Sequence, residues 1–383
     1  MPDSAIPLTS DRGTKEQLED KLALCLSGGG YRAMLFHLGV LWYLNDARYL
    51  GKLDRISSVS GGSLTAGVLA MRWTALRFQD GVATNFADLV VKLVRKIAST
   101  TIDAGSVIRG ILTPGVSIGE RIVKRYRHVA FGDAQLSQFP DHPVFVINAS
   151  NVQTGALFRF TKKFIADWRI GVIQNPTRSI AEAVAASSAF PPVLSPSTLQ
   201  FRHEEWSDLN AAEAGKKPFT ERIVLTDGGV YDNMGLENPW KKCKRLIVSD
   251  AGAQFQLEAE QHHDFARHSI RVNSLIDNQV RSLRRRQVVA AFDKKTELGR
   301  NDPHSGVFFA MWTPASTFTT SSLQFDEKRG LELAKTPTRL AELKPELQNR
   351  LINYGYAMAE RAIRTHFDKD ALAPVKFPAA GAV

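Results

Sequence analysis

Twice near the N-terminus a short apolar run stops at a cluster of glycines and gives way to a helical pattern. This alternation restricts the fold more than any other feature of the chain. Residues 22–26 form the first run, ended by Ser27-Gly28-Gly29-Gly30, and Leu35, Leu38, Leu41 and Leu44 then recur along one side of a helix. Residues 56–59 form the second run, ended by Ser60-Gly61-Gly62-Ser63, and another helix follows through residues 64–73. Strand, glycine turn and helix in repetition predict an α/β fold with a mainly parallel central sheet. Ligands of such sheets bind at the carboxyl ends of strands, where both glycine turns lie.

The remaining segments extend the pattern. Phe86, Leu89, Val90, Leu93 and Ile97 fall at i, i+3, i+4, i+7 and i+11, interleaved with Lys92, Arg95 and Lys96, and followed by Arg121, Lys124, Arg125 and Arg127. Residues 84–130 therefore read either as a helical insertion with a solvated basic face or as a lid that touches lipid. Residues 144–149 and 156–160 read as a hairpin around Gln153-Thr154-Gly155, and 181–189 as a helix closed by Phe190-Pro191-Pro192. Residues 203–220 are polar and read as a loop. Two more strands are expected, at 223–225 before Asp227-Gly228-Gly229 and at 246–248 before Asp250-Ala251-Gly252. Ile352, Tyr356, Ala359, Ile363 and Phe367 mark a late helix with one apolar face. With neither a repeat nor a linker, the expected organisation is a flexible arm over 1–20 and a main domain over 21–310. An extension over 311–370 completes that domain, and a Pro/Ala/Gly-rich tail over 371–383 frays.

Composition narrows the function classes. No apolar run reaches the roughly 18–20 residues that span a bilayer, and the polar N-terminus lacks the pattern of a signal peptide. Cys25 and Cys243 are the only cysteines, which suits free thiols in a reducing compartment and a cytoplasmic address, peripheral at the inner membrane surface at most. A net charge of +10 favours anionic partners without choosing among nucleic acid, phospholipid head groups and acidic substrates.

Ser60 is the candidate nucleophile. Ser58-Val59-Ser60-Gly61-Gly62 approximates a G-x-S-x-G elbow, with Ser58 at the first glycine position. The turn needs small neighbours because the nucleophile's backbone is strained. Gly28, Gly29 and Gly30 let backbone amides approach a ligand, and with Gly61 at a helix start they are candidate oxyanion donors. Arg32 could hold that loop or meet a substrate phosphate. The loose Gly28-x-Gly30-x-x-Ala33 spacing also fits a dinucleotide loop, but the second strand ends in Ser60-Gly61-Gly62 rather than in a ribose-binding acid.

A serine hydroxyl needs a proton acceptor. The histidines are poorly placed for it. His262, His263, His268 and His304 read as surface residues, and His37 as a core or helix-face residue. Asp227 ends an apolar strand before two glycines and would emerge on the same sheet edge as Ser60. Asp250 is the alternative strand-end acid.

Gly28-Gly29-Gly30-Tyr31-Arg32, Ser58-Val59-Ser60-Gly61-Gly62 and Asp227-Gly228-Gly229 together resemble the three signature blocks of patatin-like phospholipases. Ala186-Ser187-Ser188-Ala189-Phe190-Pro191-Pro192 is similar to a fourth block, and the region beyond residue 252 resembles bacterial members. The resemblance implies a three-layer α/β/α fold, a Ser60–Asp227 dyad without histidine, and membrane phospholipid or lysophospholipid as substrate. It implies no metal and no organic cofactor. Ser58 and Ala33 depart from the family's usual glycines, and both are small. A rival expectation is a protein that binds lipid without turnover, or a membrane effector regulated by a nucleotide.

Arg281-Ser282-Leu283-Arg284-Arg285-Arg286 is the densest basic cluster. It reads as a solvated helix face or as a peripheral contact with anionic membrane. A nucleic-acid site is disfavoured because no stacking aromatics surround it in sequence. The sequence leaves the oligomeric state open.

Overall fold

Successive side chains on a strand point to opposite faces, and in the first strand each set lies under a different layer. Leu22, Leu24 and Leu26 join a large core that also holds Leu35, Leu38, Leu64, Leu69 and Tyr354. Ala23 and Cys25 join a smaller one with Met234, Leu236, Leu246, Val248 and Val288. The result is a three-layer α/β/α sandwich, described by a computed structural model over residues 18–102, 117–260 and 264–383. Most of the expected N-terminal arm, the middle of the 84–130 segment, and His262 and His263 lie outside the described residues.

Among the described residues, eleven strands form one sheet. In chain order they are β1 (Glu19–Leu26), β2 (Arg55–Val59), β3 (Val144–Asn151), β4 (Ala156–Phe160), β5 (Phe164–Asp167), β6 (Gly171–Gln174), β7 (Ser197–Gln200), β8 (Trp206–Ser207), β9 (Arg222–Asp227), β10 (Cys243–Asp250) and β11 (Ser305–Ala310). The central strands β3, β2, β1, β10 and β11 lie side by side and run parallel, as the strand–helix rhythm predicts. Beyond β3 an antiparallel meander of β4, β5, β6 and β8 widens the sheet. The polar stretch expected as a loop thus supplies a short edge strand at Trp206, whose ring is buried.

The principal helices are α1 (Gly30–Asp46), α2 (Gly61–Arg72), α3 (Lys92–Ala98), α4 (Ile118–Tyr126), α5 (Ile180–Ser187), α6 (Phe265–Phe292) and α7 (Pro345–His366). A capping box starts α5: Ser179 Oγ accepts from the Glu182 N–H while Glu182 accepts from the Ser179 N–H. Phe86, Val90 and Ile97 are buried in the large core, so the stripe at 86–97 packs inward.

Two expectations about the C-terminus are corrected. Helix α7 is buried on all sides from Leu351 to Ile363, Asn353 and Glu360 included, rather than on one apolar face. The tail does not fray at its end. Asn353 Nδ2 donates to the carbonyls of Ala379 and Gly381, and its Oδ1 accepts from the Ala379 N–H. A buried carboxamide needs such partners, and here they come from the tail, which covers the outer side of α7.

Candidate active site

Strand β3 aligns the two candidate catalytic residues. Strand β2 runs parallel to it and ends with Val59 opposite Asn148. Strand β9 runs antiparallel to it and ends with Asp227 opposite Ala149. The far side of β3 at residues 147–151 is taken by β4, so β9 occupies the same lane as β2 and meets it head to head. Ser60 and Asp227 therefore come together, but not on parallel strands that share an edge. The two strands point at each other.

Ser60 adopts φ 52° and ψ −118°, a conformation that costs a non-glycine residue free energy and persists only where the surroundings hold it. Its N–H donates to Ser187 Oγ at 2.9 Å. Its carbonyl accepts from the amides of Ser63 (2.9 Å) and Leu64 (3.2 Å) as α2 begins. Ser63 Oγ lies 2.9 Å from Ser187 Oγ and donates to Ser58 Oγ at 3.0 Å, so Ser58 takes part in the elbow instead of merely replacing a glycine. Ser60 is 7% exposed.

The two glycine turns touch through their backbones. A Cβ on Gly61 would lie 2.1 Å from the Gly30 carbonyl oxygen, which only glycine tolerates. Gly30 itself has φ 61°, and a Cβ there would lie 2.5 Å from Arg339 O. Gly29 caps α1, while Gly30 and Gly61 open α1 and α2. Among the described residues their three amides donate to no protein atom. Unpaired amides at two helix N-termini suit a developing negative charge. Gly28 is a correction: its N–H donates to Asn233 O at 3.0 Å, so it is not a free donor.

Arg32 is also corrected. It is buried, with Nε and Nη2 donating to Ala251 O at 3.1 and 3.0 Å and Nη1 donating to Thr336 O. It clamps the glycine loop to the end of β10 and has no surface left for a substrate phosphate.

Asp227 is buried, and burial pushes its carboxyl up to about 7 although the Gly229 N–H and the Ser60 hydroxyl both favour the charged form. Oδ1 accepts from the Gly229 N–H at 2.7 Å. Oδ2 is buried and has no hydrogen-bond partner among the described residues. The Ser60 hydroxyl is thus near enough to affect the carboxylate without completing a hydrogen bond of full geometry.

Residues that sequence reasoning did not assign hold the pair in place. The carbonyls of Ser187 and Ala189 accept from the amides of Gly228 (3.2 Å) and Asp227 (2.9 Å), while Ser187 Oγ holds the Ser60 N–H. The small-residue block after α5 therefore ties both strand ends together. The Asn233 side chain is wedged among glycines: a Cβ on Gly28, Gly229 or Gly252 would fall within 2.8 Å of its carboxamide. Its only sequence signal is a place shortly after the Asp227 turn.

The other candidates are engaged elsewhere. Asp250 is buried and bonded to Arg281 Nη2 at 3.2 Å; burial raises its pKa, but the guanidinium outweighs that and holds it below the usual carboxylate range. His37 is buried beside Ser27 and Ser249, and burial lowers its pKa to about 4. His304 was expected at the surface but is buried, stacked 3.9 Å from the Trp240 ring and bonded to Asp302 and Trp240 O. His268 is exposed.

The basic cluster is likewise not a solvated face throughout. Arg281 pairs with Asp250, and Arg284 with Glu237 at 3.0 Å, both largely buried. Arg285 lies over the Trp312 ring. Only Arg286 of the four is exposed.

A cavity of about 510 Å³ lies away from the dyad, lined by Arg55, Arg159, Lys162 and Trp168 near the N-terminal ends of the central strands. Among the described residues no group of three or more His, Cys, Asp or Glu side chains could hold a metal ion, and no helix is long and apolar enough to cross a membrane.

The fold is similar to that of human GIVD cytosolic phospholipase A2. That structure superimposes with a TM-score of 0.56 at 11% identity over 89% of this chain. The same enzyme in complex with methyl gamma-linolenyl fluorophosphonate and terbium chloride gives a TM-score of 0.51 at 12% identity, again over 89% of this chain. In both cases the chain covers 58% of the length of the human protein. No curated protein matches the chain. The family model described as patatin-like phospholipase matches residues 24–240, more than half of the 383. The match includes every block from the glycine loop to the Asp227 turn, and the chain belongs to the patatin-like phospholipase family.

Proposed function

We propose that the protein is a serine acyl hydrolase that cleaves acyl esters of phospholipid or lysophospholipid through a Ser60–Asp227 dyad. The observation that carries this reading is the meeting of an elbow serine with a buried, half-partnered carboxylate beside the unpaired amides of Gly29, Gly30 and Gly61. A carboxylate raised to about 7 is a better base near neutral pH than one at 3.8.

In the first step Asp227 takes the Ser60 hydroxyl proton as Oγ bonds to the ester carbonyl carbon. The three amides hold the resulting oxyanion; one such donor is typically worth roughly 2.7–4 kcal/mol in the transition state. Collapse breaks the ester C–O bond, and the leaving alcohol or lysolipid takes the proton from Asp227. Asp227 then takes a proton from water, whose oxygen attacks the acyl-enzyme. The Ser60 oxygen leaves, recovers the proton, and a fatty acid is released.

The test is covalent labelling by a fluorophosphonate together with fatty-acid release from phospholipid vesicles. Wild type should be labelled and active, and Ser60→Ala neither. Labelling retained in Ser60→Ala would overturn the assignment of the nucleophile. Labelling of wild type without fatty-acid release from any phospholipid or lysophospholipid would favour lipid binding without turnover.

A further inference from the structure

Helix α6 has two dissimilar sides. Arg281, Arg284, Val288 and Ala291 recur at i, i+3, i+7 and i+10 and face the domain, the arginines in ion pairs and the two apolar residues buried. Phe265, Val272, Ile276 and Leu283 recur at i, i+7, i+11 and i+18 and are 88, 40, 56 and 58% exposed. Residues at these spacings form one stripe along a helix, and Leu275 and Val280, also exposed, widen it. Soluble proteins seldom leave a continuous apolar band of this kind open to water unless something covers it.

Charge says what covers it. The helix carries six arginines against one acid of its own, Asp277; Arg267, Arg271, Arg281 and Arg284 pair with acids beside it, and the chain as a whole keeps a net charge of +10. Arg286, exposed and three residues after Leu283, borders the stripe, whereas Arg271 is held by Glu258 at 3.6 Å, the Gln256 carbonyl and the Phe255 ring. An amphipathic helix with arginines beside an aliphatic band binds in the plane of a membrane interface, drawn by anionic head groups.

The position of the helix adds a second reason. Arg281 Nη2 contacts Asp250, and a Cβ on Gly252 would lie 2.4 Å from that nitrogen and 2.8 Å from Asn233 Nδ2. Asn233 also abuts Gly28 and Gly229, so the middle of α6 rests on the residues that border Ser60 and Asp227. Phe190, Val193 and Val230, on segments next to Asp227, are exposed too.

We propose that the Phe265–Leu283 stripe of α6 seats the protein on an anionic bilayer, with its apolar side chains at the acyl boundary and Arg286 on lipid phosphates. The membrane contact thus belongs to the outer face of the helix, not to the arginine cluster as a whole. The proposal rests on the acyl-hydrolase reading for its purpose, delivery of lipid to the dyad, and its test separates the two.

Full-length protein is sedimented with phosphatidylcholine vesicles with and without phosphatidylglycerol. Wild type should bind the anionic vesicles at least tenfold more tightly, and high salt should weaken that binding. Ile276→Glu/Leu283→Glu should lose at least tenfold in vesicle affinity while its thermal melt and its hydrolysis of a monomeric short-chain ester stay at wild-type levels. Phe265→Glu/Val272→Glu, toward the start of the helix, gives an independent reading. Wild-type vesicle binding in both variants overturns the proposal. So does loss of a solution dimer in the variants with vesicle binding unchanged, which would assign the stripe to a second copy of the chain. Ester turnover without vesicle binding sinks the docking alone. Vesicle binding without turnover of any ester sinks the acyl-hydrolase reading and leaves the docking standing.

Discussion

Ser60 and Asp227 close two strands that approach each other head-on along one side of β3, beside the adjacent residues Asn148 and Ala149. Their separation is set by the register of one strand with two partners, and the Ser187–Ala189 segment bonds to both ends. Little side-chain freedom remains to be removed when substrate binds. In the proposed mechanism, that is how a two-residue device works without a third group to orient its base.

The pH profile should show the base directly. A group that acts as proton acceptor must be ionised, and burial holds Asp227 at about 7. On a soluble ester, kcat/KM should rise through pH 7 and fall about tenfold for each unit below it. A profile flat down to pH 5 would remove Asp227 from that role.

Stability should move the opposite way. With a folded value of about 7 against an ordinary 3.8, Asp227 binds a proton more readily in the native state. Its contribution is fully present below pH 3.8 and is lost as pH rises through 7. Asp227→Asn should therefore be more stable than wild type at pH 8, by on the order of 2–4 kcal/mol, and equal to it near pH 3.5. Thermal melts at the two pH values check the sign.

Gly61→Ala should separate the two glycine turns. The added methyl would lie 2.1 Å from Gly30 O, so either the Ser60 elbow or the glycine loop before α1 must shift. Overpacking of this kind costs about 1–3 kcal/mol, and activity should fall at least a hundredfold in a protein that still folds. Circular dichroism alongside the ester assay distinguishes this from unfolding.

Ser187→Ala removes the acceptor for the Ser60 N–H. A buried donor left without a partner costs about 1–3 kcal/mol. Because the loss falls on the elbow's geometry, kcat should drop ten- to a hundredfold with KM nearly unchanged. A rise in KM alone would mean that Ser187 serves substrate binding instead.

Arg281 and Arg286 should behave differently despite their shared cluster. Arg281→Leu leaves Asp250 buried and unpaired and should cost about 3–5 kcal/mol, much of it recovered in Arg281→Leu/Asp250→Leu. Arg286→Gln, at an exposed position, should change stability by less than about 0.5 kcal/mol. Chemical denaturation of the four proteins gives the comparison.

Local chemistry made the two glycine turns, the elbow serine and the parallel strands that lead into them legible from the chain alone. Buried strands need continuous apolar runs, and a tight strand-to-helix turn admits only small residues. Both demands are met by neighbours in sequence. What lay beyond reach depends on partners tens to hundreds of residues apart. Nothing near Arg32 announces that Ala251 and Thr336 accept its hydrogen bonds, nothing near Gly28 that Asn233 occupies its amide, and nothing near residue 379 that Asn353 holds the tail. The direction of β9 is the sharpest case, since an apolar strand ending in aspartate reads the same whichever way it enters the sheet. Periodicity records which side of an element is apolar. Only the packed structure decides what covers that side, because burial of a polar or charged group depends on a distant partner that satisfies it.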